Sequence, residues 1–244
     1  MKYRTLFISD VHLGSRHSNA ISLLKFLEEN SFNKICIVGD LFDFFVKAPD
    51  EHRNKQLDLV SKIFELSSCG TEIVYIPGNH DSVLKLFSGS KIKGVSIVDE
   101  YVHTTIDNKE IKLLHGDKFD NEGVNRFILP LFGVFGYGPI FMINKLVYKF
   151  NKNFCLCRFI KSKTANIFNT ITTYEKNVTN ELTNSDYYGI MYGHTHFPKI
   201  KNMNEKIIAN TGSWTADNVN SCIVEELCGD FKLLNVNKLG QPIN

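Results

Sequence analysis

Leu6-Phe7-Ile8-Ser9-Asp10-Val11-His12 begins as an unbroken apolar run and ends on a carboxylate and an imidazole two positions apart. Such a run reads as a buried strand. Extended backbone alternates its side chains between faces, so Asp10 and His12 share one side. A strand that delivers both donors at its carboxyl end is poised to hold a metal ion. Alone the pattern is weak, because a turn with a satisfied histidine is written with the same letters. Repetition gives it weight.

Ile35-Cys36-Ile37-Val38 runs into Gly39-Asp40, with Asp43 close behind. Ile73-Val74-Tyr75-Ile76 runs through Pro77 into Gly78-Asn79-His80-Asp81. Ile111-Lys112-Leu113-Leu114 runs into His115-Gly116-Asp117, and Tyr188-Gly189-Ile190-Met191-Tyr192 into Gly193-His194-Thr195-His196. Open α/β sheets place their sites outside the carboxyl ends of strands, so these clusters are expected to converge on one edge. Asp40 sharpens the expectation. A carboxylate at the mouth of an apolar strand is costly to bury without a counter-charge, and Asp10 would repel it at short range. A shared cation resolves both problems.

The intervening segments read as helices and further strands. Ile21, Leu24 and Leu27, widened by Leu23 and Phe26, form one helical stripe, with Ser18 or Asn19 as its cap. Leu57, Val60 and Phe64 mark a second helix, stopped at Ser67-Ser68-Cys69-Gly70. Val95 to Val98, Tyr101 to Ile106 and Ile111 to Leu114 read as short strands, the last two joined at Asp107-Asn108. Ile207 to Ala209, Ser221 to Leu227 and Phe231 to Val236 form a later set, with a turn at Asn210-Thr211-Gly212-Ser213-Trp214.

Composition limits the alternatives. The chain has 244 residues, 43% of them hydrophobic, enough for one large core with at most an attached subdomain. Met1-Lys2-Tyr3-Arg4 precedes only a short apolar run, so no secretory signal is expected. Of six cysteines, Cys36 and Cys222 lie in apolar strands and only Cys155 and Cys157 are neighbours. Reduced thiols in a cytoplasmic protein are the expectation, and zinc at Cys155 and Cys157 lacks a second ligand pair nearby. The net charge of +2 is unevenly spread. From Gly123 to Tyr174 there is no acidic residue, while Arg126, Lys145, Lys149, Lys152, Arg158, Lys161 and Lys163 are basic. Elsewhere 21 basic residues face 26 acidic ones.

In order, spacing and identity, Asp10-x-His12, Gly39-Asp40-x-x-Asp43, Gly78-Asn79-His80-Asp81, His115-Gly116-Asp117 and Gly193-His194-Thr195-His196 resemble the motif set of calcineurin-like metallophosphoesterases. The resemblance implies an α/β fold: a four-layer α/β/β/α sandwich of two mixed sheets. It implies two divalent cations, one held by Asp10, His12, Asp40 and His196, the other by Asp40, Asn79, His115 and His194, with Asp40 as the bridge. Mixed oxygen and imidazole donors suit Mn, and equally Fe, Zn or Co. A pair of such ions activates water and clamps the oxygens of a phosphorus centre. His80, with Asp40 and Asn79, is then the catalytic set, His80 protonating the leaving group or neutralising developing charge. Asp81 and Asp117 are expected to support, either by orienting a ligand histidine or by capping a turn.

The acid-free segment speaks to substrate. Phe127 to Asn144 is uncharged and crowded with aromatic and aliphatic residues, but Pro130, Gly133, Gly136, Gly138 and Pro139 interrupt it. A continuous transmembrane helix is therefore disfavoured. The chain is expected to be a single domain over 1–244, with a helical, basic, aromatic-rich cap inserted at 122–176. Such a cap suits docking on an anionic membrane surface and acceptance of acyl chains. With His115-Gly116-Asp117-x-Phe119-Asp120 ahead of that insertion, the chain is similar to the UDP-2,3-diacylglucosamine diphosphatase branch, which releases UMP and a lipid monophosphate in lipid A synthesis. Asn153 to Phe168 and Asn210 to Trp214 also look like that group. Its characterised members tend to carry Arg after the Gly-Asn pair, where this chain has His80.

Three readings compete. The first is a cytoplasmic hydrolase of a lipid-linked nucleotide, peripheral to the inner membrane, in which His80, Arg126, Lys163 and Trp214 contact substrate. The second is a phosphodiesterase of soluble nucleotides whose cap only tunes specificity. The third is an inactive membrane-associated binding module, disfavoured because the whole set of predicted ligands is present. Nucleic acid is not an expected partner, since the basic residues are embedded in apolar bulk.

Overall fold

The structure, a computed structural model, describes residues 1–46, 49–120, 173–215 and 219–243. The chain divides into two compact units, Met1–Asp117 with Ser185–Asn244, and Lys118–Asn184.

The first unit opens with strand β1 (Lys2–Ile8), helix α1 (Ala20–Glu29), β2 (Ser31–Val38), α2 (Asp50–Ser68) and β3 (Glu72–Ile76). A 3-10 turn over Ser82–Phe87 leads to β4 (Lys91–Ile92), β5 (Val95–Ile97), β6 (Tyr101–Thr104) and β7 (Glu110–Leu113). After the second unit come β8 (Gly189–Tyr192), β9 (Lys199–Met203), β10 (Lys206–Asn210), β11 (Asn220–Glu225), β12 (Phe231–Val236) and β13 (Pro242–Ile243).

These strands form two mixed sheets, as the motif set implied. One has eight strands in the order β13-β12-β11-β1-β2-β3-β5-β4, the other five in the order β6-β7-β8-β10-β9. β1, β2 and β3 run parallel, as do β7, β8 and β10. Parallel strands present all their carboxyl ends on one edge, and that edge carries the five clusters.

The continuous apolar runs are explained by cover on both faces. Leu6 and Ile8, Ile35 and Ile37, Ile73 and Tyr75 pack with Leu23, Phe26 and Leu27 of α1 and with Leu59 and Ile63 of α2. The alternate residues Phe7, Cys36, Val38, Val74 and Ile76 meet Ile111, Leu113, Met191, Ile207 and Ala209 of the other sheet. Phe7 is fully buried, its ring edge-on to His103 at 5.1 Å, and such burial contributes about 1.5–3 kcal/mol. Cys36 and Cys222 are buried free thiols, in keeping with the expectation, and burial pushes both thiol pKa values up.

Local expectations needed three corrections, the first being that Ile21, expected on the α1 stripe, is exposed. Asn19 is the N-cap of α1 but makes no side-chain cap bond; its amide donates to Asn220 Oδ1 at 2.7 Å instead. In α2 Val60 and Phe64 pack against the core as expected, beside the more deeply buried Leu59 and Ile63, but Leu57 is exposed. Gln56 takes an inward place in that turn. Its Oε1 accepts from Gly14 N and its Nε2 donates to Ser15 O, both at 2.7 Å, which orients a polar residue inward.

The second unit is helical over 173–183, where Tyr174, Val178 and Leu182, each four apart, are buried on one face. Phe119 packs edge-on to Tyr174 at 5.8 Å. Arg126, Lys163, Cys155, Cys157, the Phe127–Asn144 run and most of the expected cap lie outside the described residues. Among the described residues no helix is long and apolar enough to cross a membrane.

Candidate metal centre

Asp10 follows β1, Asp40 follows β2, Asn79 follows β3, His115 follows β7 and His194 follows β8. All five, with His12 and His196, meet at the shared carboxyl edge. Asp10, His12 and His196 place one donor atom each within 4.8 Å of one another, and so do Asp10, Asp40 and His115. Asn79 Oδ1 joins the second group, 3.0 Å from His115 Nε2 and 3.1 Å from His194 Nδ1. The expected set is brought together as sequence implied, with Asp10 as well as Asp40 lying between the two groups.

The backbone is bent to achieve this. Asp10, His12, Asp40, His194 and His196 all have positive φ, between 52° and 63°. Non-glycine residues rarely adopt that region, and each instance carries strain that the surroundings must hold. Asp and His are among the types that tolerate it best. Hydrogen bonds lock the bends: His194 N–H donates to Asp10 Oδ2 at 2.9 Å, and His80 N–H to Asp40 Oδ1 at 2.8 Å. Gly78 leaves room for this crowding, since a Cβ there would overlap Asp40 Oδ1 and the His115 ring.

Charge is concentrated and incompletely satisfied. Burial alone would raise the carboxyls of Asp10 and Asp40, yet both are held below the usual range, Asp10 chiefly by His196 and Asp40 chiefly by His115. Conversely, burial would lower the His115 pKa, but Asp40, 3.4 Å away, with Asp10 behind it and the Val38 carbonyl on the other ring nitrogen, pushes it up to about 10. His12 Nε2 is buried without a hydrogen-bond partner, 3.8 Å from Asp10 Oδ1 and 3.9 Å from Asp40 Oδ2. Asp10 Oδ1 also lacks a hydrogen bond, although His196 Nε2 stands 3.1 Å away in ion-pair contact. The gaps around His12 are too wide for direct bonds and suit donors converging on a cation. The residues therefore fit a divalent metal centre.

Around this core the neighbours differ in role. His80 Nδ1 is 3.2 Å from Asp43 Oδ1, and its ring stands edge-on to His12 at 4.7 Å. Burial would lower its pKa, but Asp43 first, then Asp40 and Asp10, raise it. Asp43 is held low by His12 and His80 against the upward push of burial. Asp81 orients no histidine; its carboxylate accepts from Gly78 N–H at 2.6 Å, from Phe42 N–H at 3.1 Å and from the Tyr75 hydroxyl, bracing the turns that carry Asn79 and Asp40. Asp117 pairs with Lys85 at 3.5 Å.

Trp214, expected at the substrate, is a core residue. It is fully buried, its ring centroid 6.0 Å from that of Phe26. An indole after a polar turn invites a binding role, but here it fills space beneath α1. Asp43, part of the motif set but without an expected role, faces both His12 and His80, and Asn210, expected only as part of a turn, neighbours the site. The second left a trace: Ile207-Ile208-Ala209 runs into Asn210-Thr211-Gly212 in the pattern of the other five strand ends.

The family model for calcineurin-like phosphoesterases matches residues 3–198. UDP-2,3-diacylglucosamine hydrolase of Vibrio cholerae serotype O1 is 26% identical over 207 residues, 80% of this chain and 82% of that one. The protein of the same name from Psychromonas ingrahamii is 29% identical over 158 residues, 60% of this chain and 63% of its own. Among solved structures, a single mutant of Vps29 from Entamoeba histolytica aligns with a TM-score of 0.48 at 15% identity, covering 98% of this chain and 99% of that one.

Proposed function

Because the chain belongs to the calcineurin-like phosphoesterase family, and is thus a metal-dependent hydrolase of phosphate esters, we propose that it cleaves the pyrophosphate of a UDP-linked diacylated glucosamine or a close analogue. The products are UMP and a lipid monophosphate. In this reading Asp10, His12, Asp40 and His196 hold one divalent cation, and Asp40, Asn79, His115 and His194 hold the other. Manganese is the proposed metal. Once bound, the two ions supply Lewis acidity and a nucleophile at neutral pH.

The protein's own residues do the rest. Asp10 and Asp40, at the carboxyl ends of the neighbouring strands β1 and β2, would supply the negative charge that the cations need. His80, its pKa raised by Asp43 at 3.2 Å against the downward push of burial, stands beside the centre to donate a proton to the leaving oxygen. Asp43 also faces His12 Nδ1 at 3.6 Å, so one carboxylate orients both rings.

The observation that carries the hydrolase reading is the convergence of seven predicted donors on one edge, with Asp10 Oδ1 and His12 Nε2 left without hydrogen bonds. For the substrate, support comes from the named relatives and from the basic, aromatic-rich segment between Gly123 and Tyr174. That segment would dock on an anionic cytoplasmic membrane face, with Arg126 and Lys163 as phosphate contacts. One observation favours a second reading, a phosphodiesterase of soluble nucleotides: His80 stands where the resembled lipid enzymes tend to carry Arg.

The test is a paired assay of the Mn²⁺-loaded protein. UMP release from UDP-2,3-diacylglucosamine, with slower turnover of bis(p-nitrophenyl) phosphate, supports the lipid-linked substrate. Turnover of the small diester alone moves the assignment to soluble nucleotides. No hydrolysis of either by a metal-replete sample overturns the catalytic reading.

A further inference from the structure

β10 is a sixth strand whose carboxyl end reaches the edge of the metal centre, and it ends on Asn210, which is fully buried. Asn210 Nδ2 donates to Gly193 O at 2.6 Å and lies 3.1 Å from Thr195 Oγ1, while Oδ1 accepts from Gly212 N–H at 2.8 Å. Every polar atom of the carboxamide is thus committed to the backbone or side chain of two turns.

The turn it grips is strained. Thr195 N–H donates to Gly193 O at 2.7 Å, an i to i+2 bond that closes a γ-turn over His194. His194 has φ 63° and His196 φ 59°. A γ-turn with positive φ at its centre is rare, and it persists only where its surroundings over-determine it. Asn210 supplies the second donor to the same carbonyl and a bond on the far side of His194. Four residues later the same segment acts on the other sheet: Trp214 N–H donates to Asp10 O at 3.1 Å, and Asp10 has φ 54°. Between them, Ser9 Oγ is 2.6 Å from Thr211 Oγ1 and donates to Gly212 O at 3.1 Å.

We propose that Asn210 is a positioning residue whose carboxamide fixes the Gly193–His196 turn and thereby sets where His194 and His196 present their ring nitrogens to the cations. The inference rests on the two-cation reading above. Asn210 touches neither metal nor substrate, so its effect is on the geometry of the ligands. Loss of the partner that orients a metal ligand typically weakens binding about 10- to 100-fold.

The experiment is a Mn²⁺ titration of metal-free full-length protein, free Mn²⁺ being read by its EPR signal. Asn210→Ala is expected to weaken Mn²⁺ about tenfold, while the metal-free melting midpoint falls only slightly. At saturating Mn²⁺, KM for bis(p-nitrophenyl) phosphate stays at the wild-type value and kcat recovers, which a merely unfolded fraction would not produce. Wild-type Mn²⁺ affinity in Asn210→Ala overturns the proposal. Should that variant fail to fold, judged by far-ultraviolet dichroism and Trp214 emission, Thr195→Val decides. It removes only the second contact and is expected to weaken Mn²⁺ about threefold, the worth of one neutral hydrogen bond; unchanged affinity there overturns the proposal equally. A wild-type protein that binds no Mn²⁺ sinks the two-cation reading instead, so the two failures are distinct.

Discussion

Asp43 and His80 form an ion pair, Oδ1 to Nδ1 at 3.2 Å, in which the imidazole is raised and the carboxylate lowered from their ordinary pKa values. The pair sits beside the metal centre, His80 within reach of the donor atoms of His12 and Asp40, and the proposed role of His80 is that of a proton donor and not a ligand. His80→Ala should therefore keep both Mn²⁺ ions and slow turnover by about 10²- to 10⁴-fold, the usual contribution of a general acid. Metal analysis alongside steady-state kinetics checks this; loss of a metal ion would make His80 a ligand.

Asp40 lies between the two donor groups, with His115 Nε2 at 3.4 Å and His12 Nε2 at 3.9 Å from its Oδ2. Asp40→Ala is expected to abolish binding of both cations, not one. Inductively coupled plasma mass spectrometry of the purified variant gives the stoichiometry directly, and one retained equivalent would place the bridge elsewhere.

Gly78 has no room for a side chain between Asp40 and His115. Gly78→Ala should displace one of those groups, weakening Mn²⁺ by at least an order of magnitude, as loss of ligand orientation does. A wild-type titration curve would mean that the turn yields without moving the ligands.

Glu225 is a buried carboxylate far from the metal centre in sequence, and it gathers Arg4, Thr5, His103 and the Ile106 N–H. Burial pushes its pKa up, but His103 first, then Thr5 and Arg4, bring it below its ordinary 4.5. A carboxylate depressed in the folded state stabilises the protein above its unfolded pKa. That stability drains as pH falls from about 4.5 through the folded value. Urea midpoints measured from pH 7 to pH 3 should fall more steeply for the wild type than for Glu225→Gln. Parallel curves would remove Glu225 from the acid response.

Replacing 127–143 by a flexible linker should spare hydrolysis of bis(p-nitrophenyl) phosphate and abolish action on a diacylated substrate. Equal loss of both activities would make that segment a structural part of the fold.

The seven donors were legible because each cluster is local: an apolar run, a turn, a ligand-type side chain, repeated until chance became a poor explanation. Their common edge followed from strand direction alone. What could not be read depended on partners distant in the chain. Leu57 looked inward by periodicity, but it is exposed, and its neighbour Gln56 is buried instead, bonded to Gly14 and Ser15. Trp214 looked like a contact residue because nothing nearby in sequence announces that Phe26 covers it. Asn210 carries the same strand-end signature as the donors, yet its targets are carbonyls and amides, which every residue possesses, so no spacing rule marks them.

Asp10, His12, Asp40 and Asn79 leave the eight-stranded sheet, whereas His115, His194 and His196 leave the five-stranded one. Ions seated among them would rivet two layers that are otherwise joined by apolar side chains and by a few hydrogen bonds such as Trp214 N–H to Asp10 O. Chelation would then loosen the joint itself as well as stop the chemistry, and a stripped molecule should lose its resistance to proteases before its secondary structure.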